Sequence, residues 1–242
     1  MAEPSGLSGV LSGNLHSHFL YYRRADILTM LLQYPLPSSN SPSGSMTKTE
    51  RVLRRAREQG VLWADDLKED IPARYLRRLA ERGELERVGR GLYRHPDAPI
   101  SEHHSLALIG ARYPDVRICL LSALQFHDLT TQWPRKVWIA REPGDWTPTA
   151  SPVELEVVRM SGASFTEGVE THEVEGVPIN VFAPAKTIAD CFKFRGKVGT
   201  DTAIEALRSY VRSGVGPVDD LYHFADVCSV QTVMRPYIEA TV

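Results

Sequence analysis

The chain has 242 residues, with 28 Lys+Arg against 30 Asp+Glu, a formal net charge of -2, 43% hydrophobic residues and 24% charged ones. These are globular values, which exclude collagen-like, fibrous and wholly disordered chains, and the length suits one large or two small domains. The three cysteines, Cys119, Cys191 and Cys228, are far apart and form no CxxC. That argues against a disulfide framework or a structural zinc site and for buried thiols in a reducing cytoplasm. No apolar run reaches the ~18 residues of a membrane span, and the first residues lack the order of a signal peptide. A cytoplasmic protein with no membrane attachment is expected.

Residues 1–45 differ from the rest. Gly6, Gly9 and Gly13 punctuate the start, and Pro35 to Ser45 is a Pro/Ser/Gly-rich run of linker type. Between them, Phe19 to Leu32 suits one isolated helix. The segment reads as a disordered extension or an over-long start, with folded protein expected from Met46; an N-terminal docking segment is the alternative.

From Met46 the pattern sharpens. Thr47-Lys48-Thr49-Glu50 matches a capping box, a hydroxyl followed three residues on by a carboxylate. Val52, Leu53 and Ala56 form an apolar stripe, and Gly60 stops the helix. Trp63 to Leu67 reads as a second short helix, and Ile71-Pro72 opens a third, with Pro72 at the first helical position. Gly83 ends it. Leu85 and Val88 then lie in a strand, Gly89-Arg90-Gly91 makes a tight turn, and Leu92-Tyr93 resumes the strand. Three helices and a hairpin in about fifty residues predict a winged helix-turn-helix over 46–95.

The third helix is amphipathic. At 100° per residue Tyr75, Leu76, Leu79 and Ala80 share one side, and Arg74, Arg77, Arg78 and Arg82 the other. A helix fits the major groove of B-DNA, and the guanidinium fork suits both phosphates and guanine edges. Arg87 and Arg90 lie on the hairpin, where a wing meets backbone phosphates or a minor groove. The charge distribution agrees: residues 46–95 hold 13 Lys+Arg against 9 Asp+Glu, whereas 96–242 hold 13 against 19. A basic module joined to an acidic one is the asymmetry expected of a chain with one half on nucleic acid.

Residues 96–242 intermix elements. Helices are expected over Ser101–Ala111, Ser122–Phe126, Pro184–Phe194, Asp201–Val211, Val218–Val227 and Val230–Glu239. Strands are expected over Val116–Leu120, Lys136–Ala140, Leu155–Met160, Val169–Val174 and Val177–Phe182, with a tight turn at Glu175-Gly176. The fold class is therefore α+β: a winged helix-turn-helix followed by a mixed domain with a helical end.

Chemistry is weakly signalled. Ser122, His127 and Asp128 have the residue types of a nucleophile system but no nucleophile-elbow glycines. His103-His104 has no third ligand for a metal. Lys186, Asp190 and Lys193 share a helix face, where an i,i+4 ion pair is commoner than catalysis. Phosphate-loop, dinucleotide and HExxH motifs are absent from the sequence. No catalytic, metal or cofactor residues are assigned, and no enzyme activity is expected.

Two groups of segments resemble one family. The first is Pro72-Ala73-Arg74-Tyr75-Leu76-Arg77-Arg78-Leu79 with Arg82-Gly83-Glu84-Leu85 and Val88-Gly89-Arg90-Gly91-Leu92-Tyr93. The second is Leu121-Ser122-Ala123-Leu124 with His127-Asp128-Leu129, followed by Pro184-Ala185-Lys186-Thr187-Ile188-Ala189-Asp190-Cys191-Phe192. Over about residues 46–240 the chain resembles AbiEi-type antitoxins of bacterial type IV toxin–antitoxin (abortive infection, phage-defence) systems; 1–45 has no counterpart. The resemblance implies a repressor of its own operon at inverted repeats in double-stranded DNA. It also implies a nucleotidyltransferase-like toxin, counteracted by the C-terminal domain, often without a stable complex. Arg74, Arg77, Arg78, Arg82, Arg87 and Arg90 carry over as DNA contacts, and a homodimer on DNA is expected from two-fold operators. Ser122, His127, Lys186 and Asp190 match motif positions without an assignable role. The alternatives are a stand-alone regulator with a sensing C-terminal domain and, further off, a DNA-targeted enzyme.

Overall fold

The structure, a computed structural model, describes residues 46–242, which form one compact unit. The expectations for Phe19–Leu32 and for the Pro35–Ser45 linker lie outside the described residues.

The unit begins with α1 (Lys48–Glu58). Thr47 caps it as expected: its Oγ1 accepts from the Glu50 N–H at 3.2 Å, and the Glu50 carboxylate accepts from the Thr47 N–H at 2.8 Å. The next stretch corrects the sequence reading. Trp63 ends a strand, β1 (Val61–Trp63), and only Ala64–Leu67 coils, as a 3-10 turn. β1 exists because it pairs with a partner thirty residues away, which local propensity does not register. α2 (Ala73–Glu81) follows, with Pro72 as its cap in extended conformation rather than its first helical residue. The hairpin β2 (Glu86–Gly89) and β3 (Leu92–Arg94) completes a three-stranded antiparallel sheet in the order β1-β3-β2.

Strand alternation divides this sheet between two cores. Leu62 and Tyr93 face each other in register and join Val52, Ala56, Leu67, Ile71, Leu76, Leu79 and Leu85 in the core of 46–95, called the head. Val61, Trp63 and Leu92 face the opposite way. They pack with Leu106, Ile109, Val137, Val174 and Val177 of residues 96–242, called the body.

The body opens with α3 (His104–Arg112), β4 (Arg117–Ile118), α4 (Leu120–Phe126), β5 (Val137–Arg141) and β6 (Leu155–Arg159). A short α5 (Ala163–Thr166), the hairpin β7 (Val169–Val174) and β8 (Val177–Phe182), and the helices α6 (Pro184–Lys193), α7 (Arg195–Val198), α8 (Thr200–Ser213), α9 (Val218–Val227) and α10 (Gln231–Glu239) follow. Two of these, α5 and α7, are single turns that the sequence did not signal. The expected strand over Val116–Leu120 shrinks to two residues, because Leu120 already starts α4.

The five strands form a mixed sheet in the order β6-β5-β4-β8-β7. Its alternating faces again feed two cores. Ile118, Ile139, Ile179 and Val181 point toward α3 and the head, while Ala140, Val158 and Phe182 point toward the C-terminal helices. α6 is buried on nearly every side, with Ala185 through Phe192 all inaccessible. The observed class is α+β, with helices and two sheets.

Candidate nucleic-acid interface

α2 owes its orientation to two leucines. Leu76 and Leu79 are fully buried in the head core, which turns Arg74, Arg77, Arg78 and Arg82 outward, all exposed. Tyr75 lies at the edge of the buried side, its hydroxyl hydrogen-bonded to Thr49 Oγ1 at 2.5 Å, which ties α2 to α1. Among the described residues, Arg74, Arg77 and Arg78 make no ion pair. Arg82 is paired with Glu84 at 2.8 Å, a surface contact of at most ~1 kcal/mol.

The hairpin places its two arginines differently. Arg90 is exposed at the tip between Gly89 and Gly91 and, among the described residues, has no ion-pair partner. Arg87 is exposed too, but folds back to donate to the Gly89 carbonyl at 3.2 Å, beside the irregularity in the β2–β3 register. Arg94, the next basic residue, is structural. It is buried, bonds Glu86 at 2.7 Å and donates to the Ala98 and Pro96 carbonyls.

Two features of this surface escaped the sequence reading. Lys48, Arg51, Arg54 and Arg55 are exposed on α1, which the Thr49–Tyr75 bond ties to α2. Glu81 is also exposed and lies within the basic stripe of α2, three residues after Arg78 and four after Arg77. Its position follows from the same 100° arithmetic that selects the arginines.

The unassigned motif positions of the body are brought to separate places. Ser122 Oγ accepts from the Trp138 N–H at 3.0 Å and so fastens α4 to β5. His127 Nε2 lies 2.8 Å from the Phe182 carbonyl, with burial pushing its pKa down despite that bond. Ser122 and His127 are therefore each engaged elsewhere, not with one another. His103 packs against Phe126 with ring centroids 4.9 Å apart, and His104 Nδ1 lies 2.7 Å from Glu175 Oε2.

Lys186 and Asp190 form the expected i,i+4 pair, but in the core rather than on a surface. Both are fully buried, with Nζ and Oδ2 2.5 Å apart. Lys186 Nζ also lies 4.1 Å from the Phe182 ring centre, and Cys228 Sγ donates to Asp190 Oδ1 at 3.2 Å. Burial pushes the Asp190 carboxyl above its ordinary value, partly opposed by the Lys186 charge. Lys193 leaves this group and donates to Ser164 Oγ. Cys119, Cys191 and Cys228 are free and buried; desolvation raises all three thiols, Cys228 to about 12. Among the described residues no cluster of three His, Cys, Asp or Glu suits a metal ion, and no helix is long and apolar enough to cross a membrane.

One open cleft of about 540 Å³ lies between the start of α3, α4 and the segment leading into β5, lined among others by His103, Ser122, Trp133, Arg135 and Glu154. Trp133 is 68% exposed at its rim.

Comparison with known proteins places the head first. The family described as transcriptional regulator, AbiEi antitoxin, matches residues 65–96, from the 3-10 turn through α2 and the hairpin. The match bears out the resemblance read from Pro72 to Tyr93 and ends before the two body segments. Among solved structures, the fold resembles the crystal structure of the RV2827C protein from Mycobacterium tuberculosis. That likeness has 18% identity and a TM-score of 0.52, and it covers 77% of this chain and 75% of that one. At such identity the likeness concerns the fold. No curated protein matches the chain.

Proposed function

We propose that the protein is a DNA-binding transcriptional regulator of the antitoxin kind, with residues 46–95 acting as a winged helix-turn-helix. The observation that carries the reading is α2. Two buried leucines hold it against the head while three arginines without ion pairs, among the described residues, stand on its outer side. An α-helix with its side chains is about 10–12 Å across, suited to a groove about 12 Å wide. Arg74, Arg77 and Arg78 reach phosphates and base edges there, Arg82 flanks them, and Arg87 and Arg90 meet the adjacent backbone from the hairpin. The family match over these same residues supports the assignment.

In this reading the regulator represses its own operon at inverted repeats, as a dimer on DNA, and counteracts a nucleotidyltransferase-like toxin encoded beside it. Footprinting on the native upstream DNA tests the first part. The wild type protects an inverted repeat, and Arg77→Ala with Arg78→Ala loses that protection at about 150 mM salt, each bidentate contact contributing ~1–3 kcal/mol. Unchanged protection means that α2 is not the reading helix. Co-expression with the neighbouring toxin gene tests the second part: growth is restored by the antitoxin, and toxicity that persists sinks it.

A second reading, a stand-alone regulator whose body senses a small ligand, is favoured by the cleft beside Trp133. Its discriminating result is a ligand-induced rise in Tm, abolished by Trp133→Ala, in a protein that still binds DNA but relieves no toxin.

A further inference from the structure

Head and body meet at a corner made of backbone. α1 runs out at Gln59 and Gly60, and the β7–β8 turn, Glu175-Gly176, lies against it. A Cβ on Gly60 would stand 2.0 Å from the Glu175 carbonyl oxygen. One on Gly176 would stand 2.7 Å from both the Gln59 Cα and the Glu58 carbonyl oxygen. No side chain fits between them, so the turn and the end of α1 touch directly. Glu175 has φ 51 and Gly176 φ 74, the left-handed pair that closes a two-residue hairpin.

The Glu175 side chain engages the linker between β3 and α3, together with His104 at the first position of α3. Its Oε1 accepts from the Ser101 N–H at 2.7 Å and from Ser101 Oγ at 2.9 Å, and its Oε2 lies 2.7 Å from His104 Nδ1. Only 7% of that side chain is exposed. Burial pushes its carboxyl upward, but the bonds from His104 and Ser101 outweigh this and hold it below the ordinary carboxylate value. One residue thus meets the head through its carbonyl, the linker through its carboxylate and the sheet through its strand. Other ties hold the head as well: the apolar seam of Val61, Trp63 and Leu92, Arg94 donating to the Pro96 and Ala98 carbonyls of the linker, Arg112 over the Trp63 ring at 4.6 Å, and the approach of Gly89 to Pro152; of the side chains named, only that of Glu175 reaches the linker from the sheet of the body.

We propose that Glu175 is a positioning residue for the DNA-binding head, setting the direction in which Arg74, Arg77 and Arg78 point relative to the body. The proposal rests on the operator-binding reading. Two copies on an inverted repeat need both heads at one angle, with half-sites a helical turn, about 34–36 Å, or a multiple apart. A head that holds this angle in only a fraction of molecules binds more weakly by that fraction.

The test uses the full chain and two readouts. In the first, spin labels are attached at Lys68→Cys on the head and Arg212→Cys on the body; both sites are exposed and the native cysteines are buried. The wild-type background gives one narrow distance distribution. Glu175→Ala broadens it, and Glu175→Gln, which keeps an acceptor for Ser101 and can offer an N–H to His104, narrows it again. An unchanged distribution in Glu175→Ala overturns the proposal. Should that variant fail to fold, Ser101→Ala combined with His104→Ala removes the hydroxyl and imidazole bonds and leaves Glu175 only the Ser101 N–H, and a distribution as narrow as that of the wild type there overturns the proposal equally.

In the second readout, Glu175→Ala weakens binding to the whole inverted repeat about tenfold, as when each of the two heads holds the angle in about one molecule in three, and leaves a single repeat unaffected. Equal loss on both DNAs overturns the positioning role. Wild-type protein that ignores both DNAs overturns the operator reading, while the distance distributions still decide whether Glu175 orients the head.

Discussion

Head and body use their charged side chains in opposite ways. In the head, Arg74, Arg77, Arg78 and Arg90 stand in solvent without ion pairs among the described residues, and the core beneath them is apolar. In the body, Lys186 and Asp190 are wholly buried against one another on the central helix α6. An exposed arginine commits the fold to nothing and leaves its charge available to a partner. A buried ion pair offers nothing to a partner but allows α6 only the packing in which each charge meets the other. The contrast separates residues free to bind from residues that hold.

The largest effect should come from breaking the buried pair. Lys186→Met leaves the Asp190 carboxylate uncompensated in the core and should cost about 3–5 kcal/mol in urea unfolding. Adding Asp190→Leu should recover most of the loss, since two apolar side chains need no partner. A single variant as stable as wild type would show that water reaches the site and that the contrast is false.

The arginines should behave in reverse. Alanine at Arg74, Arg77 and Arg78 should each change stability by no more than ~0.5 kcal/mol while weakening DNA binding. Four to six neutralised phosphates give a slope of log K against log salt near -4 to -5, and losing two phosphate-contacting arginines should flatten it by about two. A destabilised variant with an unchanged slope would move those arginines into the holding class.

The smallest effect concerns acid. The Glu175 carboxyl is held below its ordinary value in the folded chain, so its contribution to stability is present above the unfolded carboxylate pKa. That contribution is lost as pH falls through the lower folded value. The stability difference between wild type and Glu175→Gln should therefore shrink below about pH 4.5, the ordinary glutamate value. A difference that stays constant to lower pH would remove the ionic part of the His104 contact.

What was legible in the sequence follows the range of the interactions. The capping box at Thr47, the two faces of α2 and the β7–β8 hairpin are set within a few residues, and each was readable. The sequence assigns Val61 and Leu62 to no element and starts a helix at Trp63, because Val61 to Trp63 become a strand only against Leu92 to Arg94. The Lys186–Asp190 spacing was read, but an i,i+4 pair has the same spacing in water and in a core. Glu175 was noticed only as half of a turn, since Ser101 and His104 lie more than seventy residues earlier. The body's residues therefore looked like an unplaced motif, whereas the head's six arginines were named at once.

The central strand of the head belongs to two cores at once, with Tyr93 facing one and Leu92 the other. The head is consequently not an interchangeable cartridge. Transplanted onto another body, it would keep its arginines but present Val61, Trp63 and Leu92 to a surface they do not fit. The arginine-bearing side of α2 lies away from that seam. If α2 reads DNA as proposed, descendants of this chain are free to change the sequence read by single substitutions on α2, while the joint that carries the helix resists any change not matched on both sides.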